Sequence, residues 1–279
     1  MSNTVAAMFC DVQPRSGEWY GLEFEVESVR STYPDHFKTP LNSIKEDNSL
    51  RNHGQEVVTE PITFAQTLIA HDEVFFGKGM IYFKREEICS PRGSIHVHVN
   101  FADASEETVK QFIRLYAVME PYFFDAVDSH RHNNIYCVPL FSTHMLSNLM
   151  VLPLPKLCLN WHKYTAFNVK CLSQFGTIEF RHLQCTMDKD IFARWMGMIH
   201  RLYEFNNTHL VRENLSPTFV TKLVSTVLGK EVSLAEVSLK LEQQLVNDTL
   251  VWLNPSKQLL LKRLQEIKNT SKGTNPCVV

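Results

Sequence analysis

Tyr20-Gly21-Leu22-Glu23-Phe24-Glu25-Val26-Glu27 alternates without a break. Leu22, Phe24 and Val26 fall on one side and the three glutamates on the other, the period of a β-strand with one buried face. Ser94 to Phe101 repeats the pattern, with Ile95, Val97, Val99 and Phe101 set against His96, His98 and Asn100. Thr177 to His182 does so a third time, with Ile178 and Phe180 opposed by Glu179 and Arg181. A solvent-facing strand surface usually carries Lys, Thr and Ser. Here it carries carboxylates, imidazoles and a guanidinium. If the three strands are neighbours, these groups converge on one surface.

Around the strands the sequence carries helix signals. Thr63 to Ala70 begins one helix, and Asp103-Ala104-Ser105-Glu106 has the pattern of a capping box for another. Phe112, Leu115, Tyr116 and Met119 follow at helical spacing, and Pro121 restricts what comes next. Asp188 or Asp190 caps a third helix, with Ile191, Trp195, Ile199 and Leu202 on its core face. Gly54 to Thr59 and Thr165 to Lys170 read as further strands, the second joined to Thr177 through Ser173-Gln174-Phe175-Gly176. Residues 31–54 and 130–160 read as irregular. The expected fold class is α+β: a curved, mainly antiparallel sheet with helices on its convex face.

After about Asn207 the composition shifts toward short amphipathic helices. Ser216-Pro217 is an N-cap with proline at the first helical position, Ser233 to Glu236 is a capping box, and Pro255 precedes a last helix. We therefore divide the chain into a sheet-bearing unit over 1–207 and a helical region over 208–279. Phe219, Leu223, Val227, Leu239, Leu245 and Trp252 need burial, and Lys272 to Val279 reads as a frayed end.

The totals narrow the function. With 279 residues, 44% hydrophobic and 21% charged, the composition is that of a globular protein. A net charge of −2 gives no electrostatic case for nucleic acid or membrane surfaces. The seven cysteines include no C-x-x-C pair and read as thiols of a reducing compartment. No apolar run is long enough for a membrane span, and residues 1–21 lack the basic and apolar regions of a secretory signal, so the expected location is the cytoplasm.

Carboxylates with an occasional imidazole hold divalent cations, such cations bridge phosphates, and an arginine matches charge on a transferred phosphoryl group. No G-x-x-x-x-G-K-[ST] loop is present. A zinc hydrolase built on His96 and His98 would leave the Glu-x-Glu and Glu-Phe-Arg strands without a role. A non-catalytic binding protein on the same scaffold is the other alternative.

Seven motifs in order resemble the amidoligase family, carboxylate–amine ligases related to glutamine synthetase and glutamate–cysteine ligase. They are Gly21 to Glu25, Asp47 to Leu50, Gly54 to Thr59, Gly93 to Val99, Arg131 to Asn134, Lys163 to Asn168 and Gly176 to Arg181. The resemblance covers roughly residues 20–200. It implies a catalytic sheet of glutamine-synthetase type, ATP and Mg2+ (or Mn2+) as cofactors, and carboxylate and amine substrates, peptides or proteins included. It also implies amide formation through an acyl phosphate. Carried over by position, Glu23, His96 and Glu179 would hold one metal ion, and Glu25 and Glu56 a second. Arg181 would contact the transferred phosphate, His98 and Asn100 would lie toward the nucleotide, and Arg131 would contact phosphate or carboxylate. With Glu179 and Arg181, Arg131 makes up the implied catalytic set. Two positions depart from the pattern: Glu60 stands where a small residue precedes proline, and Lys163 stands where arginine would give a bidentate fork. The oligomeric state is left open.

Overall fold

In the computed structural model, residues 4–27, 41–51, 54–77, 89–143, 145–149, 151–209 and 216–247 are described. A short helix α1 (Val5–Met8) precedes strand β1 (Tyr20–Val26). Leu22, Phe24 and Val26 are fully buried, while Glu23 and Glu25 on the other face are half-buried. Strand β1 lies inside the sheet. It pairs antiparallel with β3 (Gln55–Thr59) on one side and with β4 (Ser94–Asn100) on the other. Strand β2 (Leu41–Glu46) continues beyond β3. Strands β6 (Thr177–Gln184) and β5 (Phe167–Asn168) complete the far side. The result is one open six-stranded sheet in the order β2-β3-β1-β4-β6-β5, antiparallel at every pairing.

Helices cover the apolar face. Helix α2 (Phe64–Phe75) starts at Thr63, whose backbone N–H donates to Oε1 of Gln66 at 2.9 Å. Phe24 meets Phe75 edge-on at 5.8 Å between centroids and Phe192 at 6.3 Å. Phe192 lies on α7 (Lys189–Thr208), which buries Trp195, Ile199 and Leu202 as its spacing predicts. Of the two possible caps, Asp188 is the one used: its Oδ1 accepts from the N–H groups of Asp190 at 2.8 Å and Ile191 at 3.0 Å. Helix α3 (Glu106–Asp125) is capped by Ser105, which accepts from Thr108 N–H at 3.1 Å. The box starting at Asp103 is not formed, because the chain enters the helix two residues later and Glu106 pairs with Lys110 at 2.8 Å. Pro121 sits inside α3 rather than ending it. Proline removes one backbone donor, but Phe123 beyond it is fully buried, so packing keeps the last turn docked.

Four other expectations change. Residues 31–54 are not all loop, since β2 forms there; 28–40 lie outside the described residues. The strand read over Thr165 to Lys170 contracts to Phe167–Asn168, because Thr165 Oγ1 is held by Trp161 Nε1 at 2.8 Å and its N–H turns back to His162 at 3.0 Å. The connection to β6 is a helical turn, α6 (Leu172–Phe175), closed by Gly176 at a left-handed φ of 68°. Between α3 and β5 the chain forms α4 (Met145–Asn148) and α5 (Leu154–Asn160), so 130–160 is irregular only in part.

Helices α8 (Pro217–Leu228) and α9 (Leu234–Asn247) have the starts that their sequences predict. Ser216 Oγ accepts from Phe219 N–H at 3.2 Å, and Glu236 accepts from Ser233 N–H at 2.7 Å. Val220, Leu223, Val224, Val227, Val237 and Leu241 enter the same core as the sheet. Leu239 does not; it is 58% exposed. The side chains of Leu245 and Trp252, the helix after Pro255 and the stretch from Lys272 lie outside the described residues. No helix among the described residues is long and apolar enough to cross a membrane.

Candidate functional site

Strand register brings the polar groups together. Glu23 faces His96 across β1 and β4, Glu25 faces Glu56 across β1 and β3, and His98 faces Glu179 across β4 and β6. Nδ1 of His96 lies 3.2 Å from Glu23 Oε2 and 3.3 Å from Glu179 Oε1. Glu23, His96 and Glu179 form one group whose ligand atoms lie within 4.8 Å of one another. Glu25, Asp47 and Glu56 form a second group within the same distance. Two carboxylates with an imidazole, and beside them three carboxylates, are donor sets for Mg2+ or Mn2+.

Glu23 and Glu179 are held charged by their neighbours. Burial alone would raise the Glu23 carboxyl, but His98 and His96 outweigh it and keep it below the usual range. Burial likewise works to raise Glu179, and Arg181 with His96 and His98 overcomes it. His98 shows the converse: burial opposes its protonation, yet Glu23 raises it. Glu56 differs. Burial and the Glu23 charge both raise it, and Lys45 only partly offsets them. A cation in the second group would relieve that repulsion.

A cavity of about 750 Å³ opens over both groups, with Glu23, Glu25, Asp47, Glu56 and His96 in its lining. Arg181 lines the same cavity, pairs through Nη1 with Glu179 and donates from Nε to the Tyr136 carbonyl at 3.2 Å. Lys163 and Lys170 add positive charge to the wall. Arg131 also reaches the lining, but two of its donors are engaged elsewhere, on the carbonyls of His182 and Arg181. His98 lies behind Glu23, with Nε2 at 3.2 Å from Glu23 Oε1 and Nδ1 at 2.9 Å from Thr177 Oγ1. The imidazoles of His96 and His98 therefore do not form a donor set of their own. Asn100 is the furthest from expectation. Its Nδ2 donates to the carbonyls of Arg15 at 2.7 Å and Gly17 at 2.9 Å, which ties down the segment before β1.

Three residues escaped the sequence reading. All three fall within motifs of the family pattern, but Asp47 lay in a stretch read as loop and had no strand to place it. Asn168 Nδ2 donates to Glu179 Oε2 at 2.7 Å and orients that carboxylate. Ser94, at the start of β4, contacts Glu25 and His96. Hydroxyls and amides in strands are too common for either to be singled out by composition. The Cys171 thiol donates to Glu179 at 3.3 Å and is pushed up by burial and by that carboxylate, so it is a neutral donor rather than a nucleophile.

A family model described as "Putative amidoligase enzyme" matches residues 26–202. The match runs from the end of β1 into α7 and takes in Asp47, Glu56, His96, Glu179 and Arg181, while Glu23 and Glu25 stand just before it. Comparison with curated proteins finds no match.

Proposed function

The chain belongs to the amidoligase family, and from that we propose that it is an ATP-dependent carboxylate–amine ligase acting through an acyl phosphate. One observation carries the reading: Glu23 and His96 of the first donor group, all three carboxylates of the second, and Arg181 line a single cavity, with Glu179 buried beside them. Glu23, His96 and Glu179 would hold one Mg2+ or Mn2+, and Glu25, Asp47 and Glu56 the second. Such cations, when bound, neutralise phosphate oxygens and let two anions approach.

A carboxylate does not condense with an amine at neutral pH. Attack of its oxygen on the γ-phosphorus of ATP forms an acyl phosphate and releases ADP. The amine nitrogen then attacks the acyl carbon, loses a proton and expels phosphate. Arg181, which pairs with Glu179, would meet charge on the phosphoryl oxygens in the transition state. His98 and Asn168 orient Glu23 and Glu179 from behind. Arg131 supports the strand that carries Arg181. Asn100 holds the segment before β1.

The same reading takes the sheet as the glutamine-synthetase catalytic type, 1–207 as the catalytic unit, and the cytoplasm as the setting. ADP release in the presence of a pool of carboxylates and amines should need Mg2+ or Mn2+. Glu25→Ala and Glu179→Ala should each abolish it with the far-UV spectrum unchanged. Turnover that is equal in excess chelator would sink the proposal.

A further inference from the structure

Two thiols meet at the turn that leads into β4. Cys185 follows the last residue of β6 and is 4% exposed, whereas Cys89, just before the turn, is half-buried. The Cys185 thiol donates to the Cys89 sulfur at 3.1 Å. The backbone beside them is tied down. Gly93 N–H donates to the Ser90 carbonyl at 3.1 Å, and Cys185 N–H donates to the Gly93 carbonyl at 2.9 Å. A Cβ on Gly93 would come within 2.5 Å of the Glu25 carbonyl oxygen and 3.0 Å of Cys185 Cβ, so the turn lies flush against β1 and the end of β6. Pro91 and Arg92, within the turn, line the cavity. Arg92 Nη1 donates to the Ser49 carbonyl at 3.1 Å, and Ser49 N–H donates to Asp47 Oδ1 at 2.7 Å. The turn is therefore connected to the second donor group.

We infer that Cys89 and Cys185 are a modification site: a pair that closes reversibly into a disulfide and clasps this wall of the cavity to the end of β6. Only about 1 Å of approach separates the present contact from a bond. The pairing does not depend on the ligase reading. Closure needs an oxidant, and a small disulfide such as oxidised glutathione supplies it. Cys89 is the thiol that solvent reaches, while burial and the neighbouring sulfur push the Cys185 thiol up. The Cys89 thiolate attacks one sulfur of the small disulfide, whose S–S bond breaks, and one small thiol leaves. Cys185 then loses its proton to water, attacks the Cys89 sulfur and expels the second small thiol. Two protein thiols are oxidised, and one disulfide is reduced to two thiols. In a reducing compartment the pair rests open and closes only under oxidation.

The test uses the full chain, with Cys89→Ser and Cys185→Ser beside the parent. Each is equilibrated with oxidised and then with reduced glutathione, remaining thiols are alkylated, and peptides are mapped. Hydrogen exchange over residues 90–93 is read in both states. The parent should lose two thiols, yield a Cys89–Cys185 cross-linked peptide and recover both thiols on reduction. Exchange over 90–93 should slow in the closed form. Cys185→Ser should stop with one glutathione on Cys89, and Cys89→Ser should leave Cys185 unmodified and exchange alike in both buffers. A parent that keeps both thiols, stops at the mixed disulfide, or links Cys89 to Cys10 or Cys277 overturns the inference. So does exchange over 90–93 that closure leaves unchanged, because the bond would then clasp nothing. If Cys185→Ser fails to fold, Cys89→Ser and the parent's peptide map still decide.

Discussion

The guanidinium of Arg131 donates from Nε to the carbonyl of His182 at 2.8 Å and from Nη2 to the carbonyl of Arg181 at 2.5 Å. A buried fork thus grips β6 at the residue whose side chain faces the cavity. Arg131→Lys keeps the charge but cannot span two carbonyls. It should cost about 2–4 kcal/mol, read as a lower urea midpoint. An unchanged midpoint with lost turnover would mean that Arg131 acts on the substrate instead.

Arg181→Lys tests the reaction itself. The planar fork is best matched to charge that develops in the transition state. Turnover should fall more than ATP affinity does. Weaker ATP binding with turnover unchanged would make Arg181 a ground-state contact.

The stability of the chelated protein should peak near pH 6.5. Burial, helped by Arg131, holds His182 well below its usual value of 6.5, and burial lowers His71. Below 6.5 the unfolded chain takes up protons that these rings refuse in the fold, so stability falls by up to ~1.4 kcal/mol per pH unit for each ring. His98 acts on the other limb. Its folded value is raised by Glu23, so its contribution is complete below 6.5 and is lost as pH rises through that folded value. Urea midpoints across the range check both limbs. A midpoint that climbs steadily with pH would contradict the alkaline one.

Removing everything after Asn207 should leave an insoluble protein. Leu223, Val224 and Val227 of α8 are fully buried in the core that α7 and the sheet share. Each such side chain is worth roughly 1.5–3 kcal/mol. The soluble fraction and sedimentation of the truncated chain decide the matter. A soluble, active monomer made from an oligomeric parent would instead identify the removed helices as an assembly element.

Much of the sheet was legible because period two is a local property. The alternation at Tyr20 to Val26 and at Ser94 to Asn100 survives intact in β1 and β4. Helix starts were legible where a cap bonds within three residues, as at Asp188, Ser216 and Ser233. Reading failed where distant packing overrides a local signal, as at Pro121, which the buried Phe123 carries through the helix. It also failed at β2, an edge strand whose residues alternate poorly and whose order comes from pairing with β3.

The candidate site divides in the same way. The sequence by itself determined which side chains share a face: Glu23 with Glu25, His96 with His98, and Glu179 with Arg181. It could not determine which strands are neighbours. Only the antiparallel register sets Glu23 against His96 and Glu25 against Glu56, brings Asp47 to the second group and places Ser94 between the two. Side-chain alternation follows from backbone stereochemistry within a few residues. Register follows from hydrogen bonds and burial between segments tens of residues apart, so it exists only once the sheet has formed.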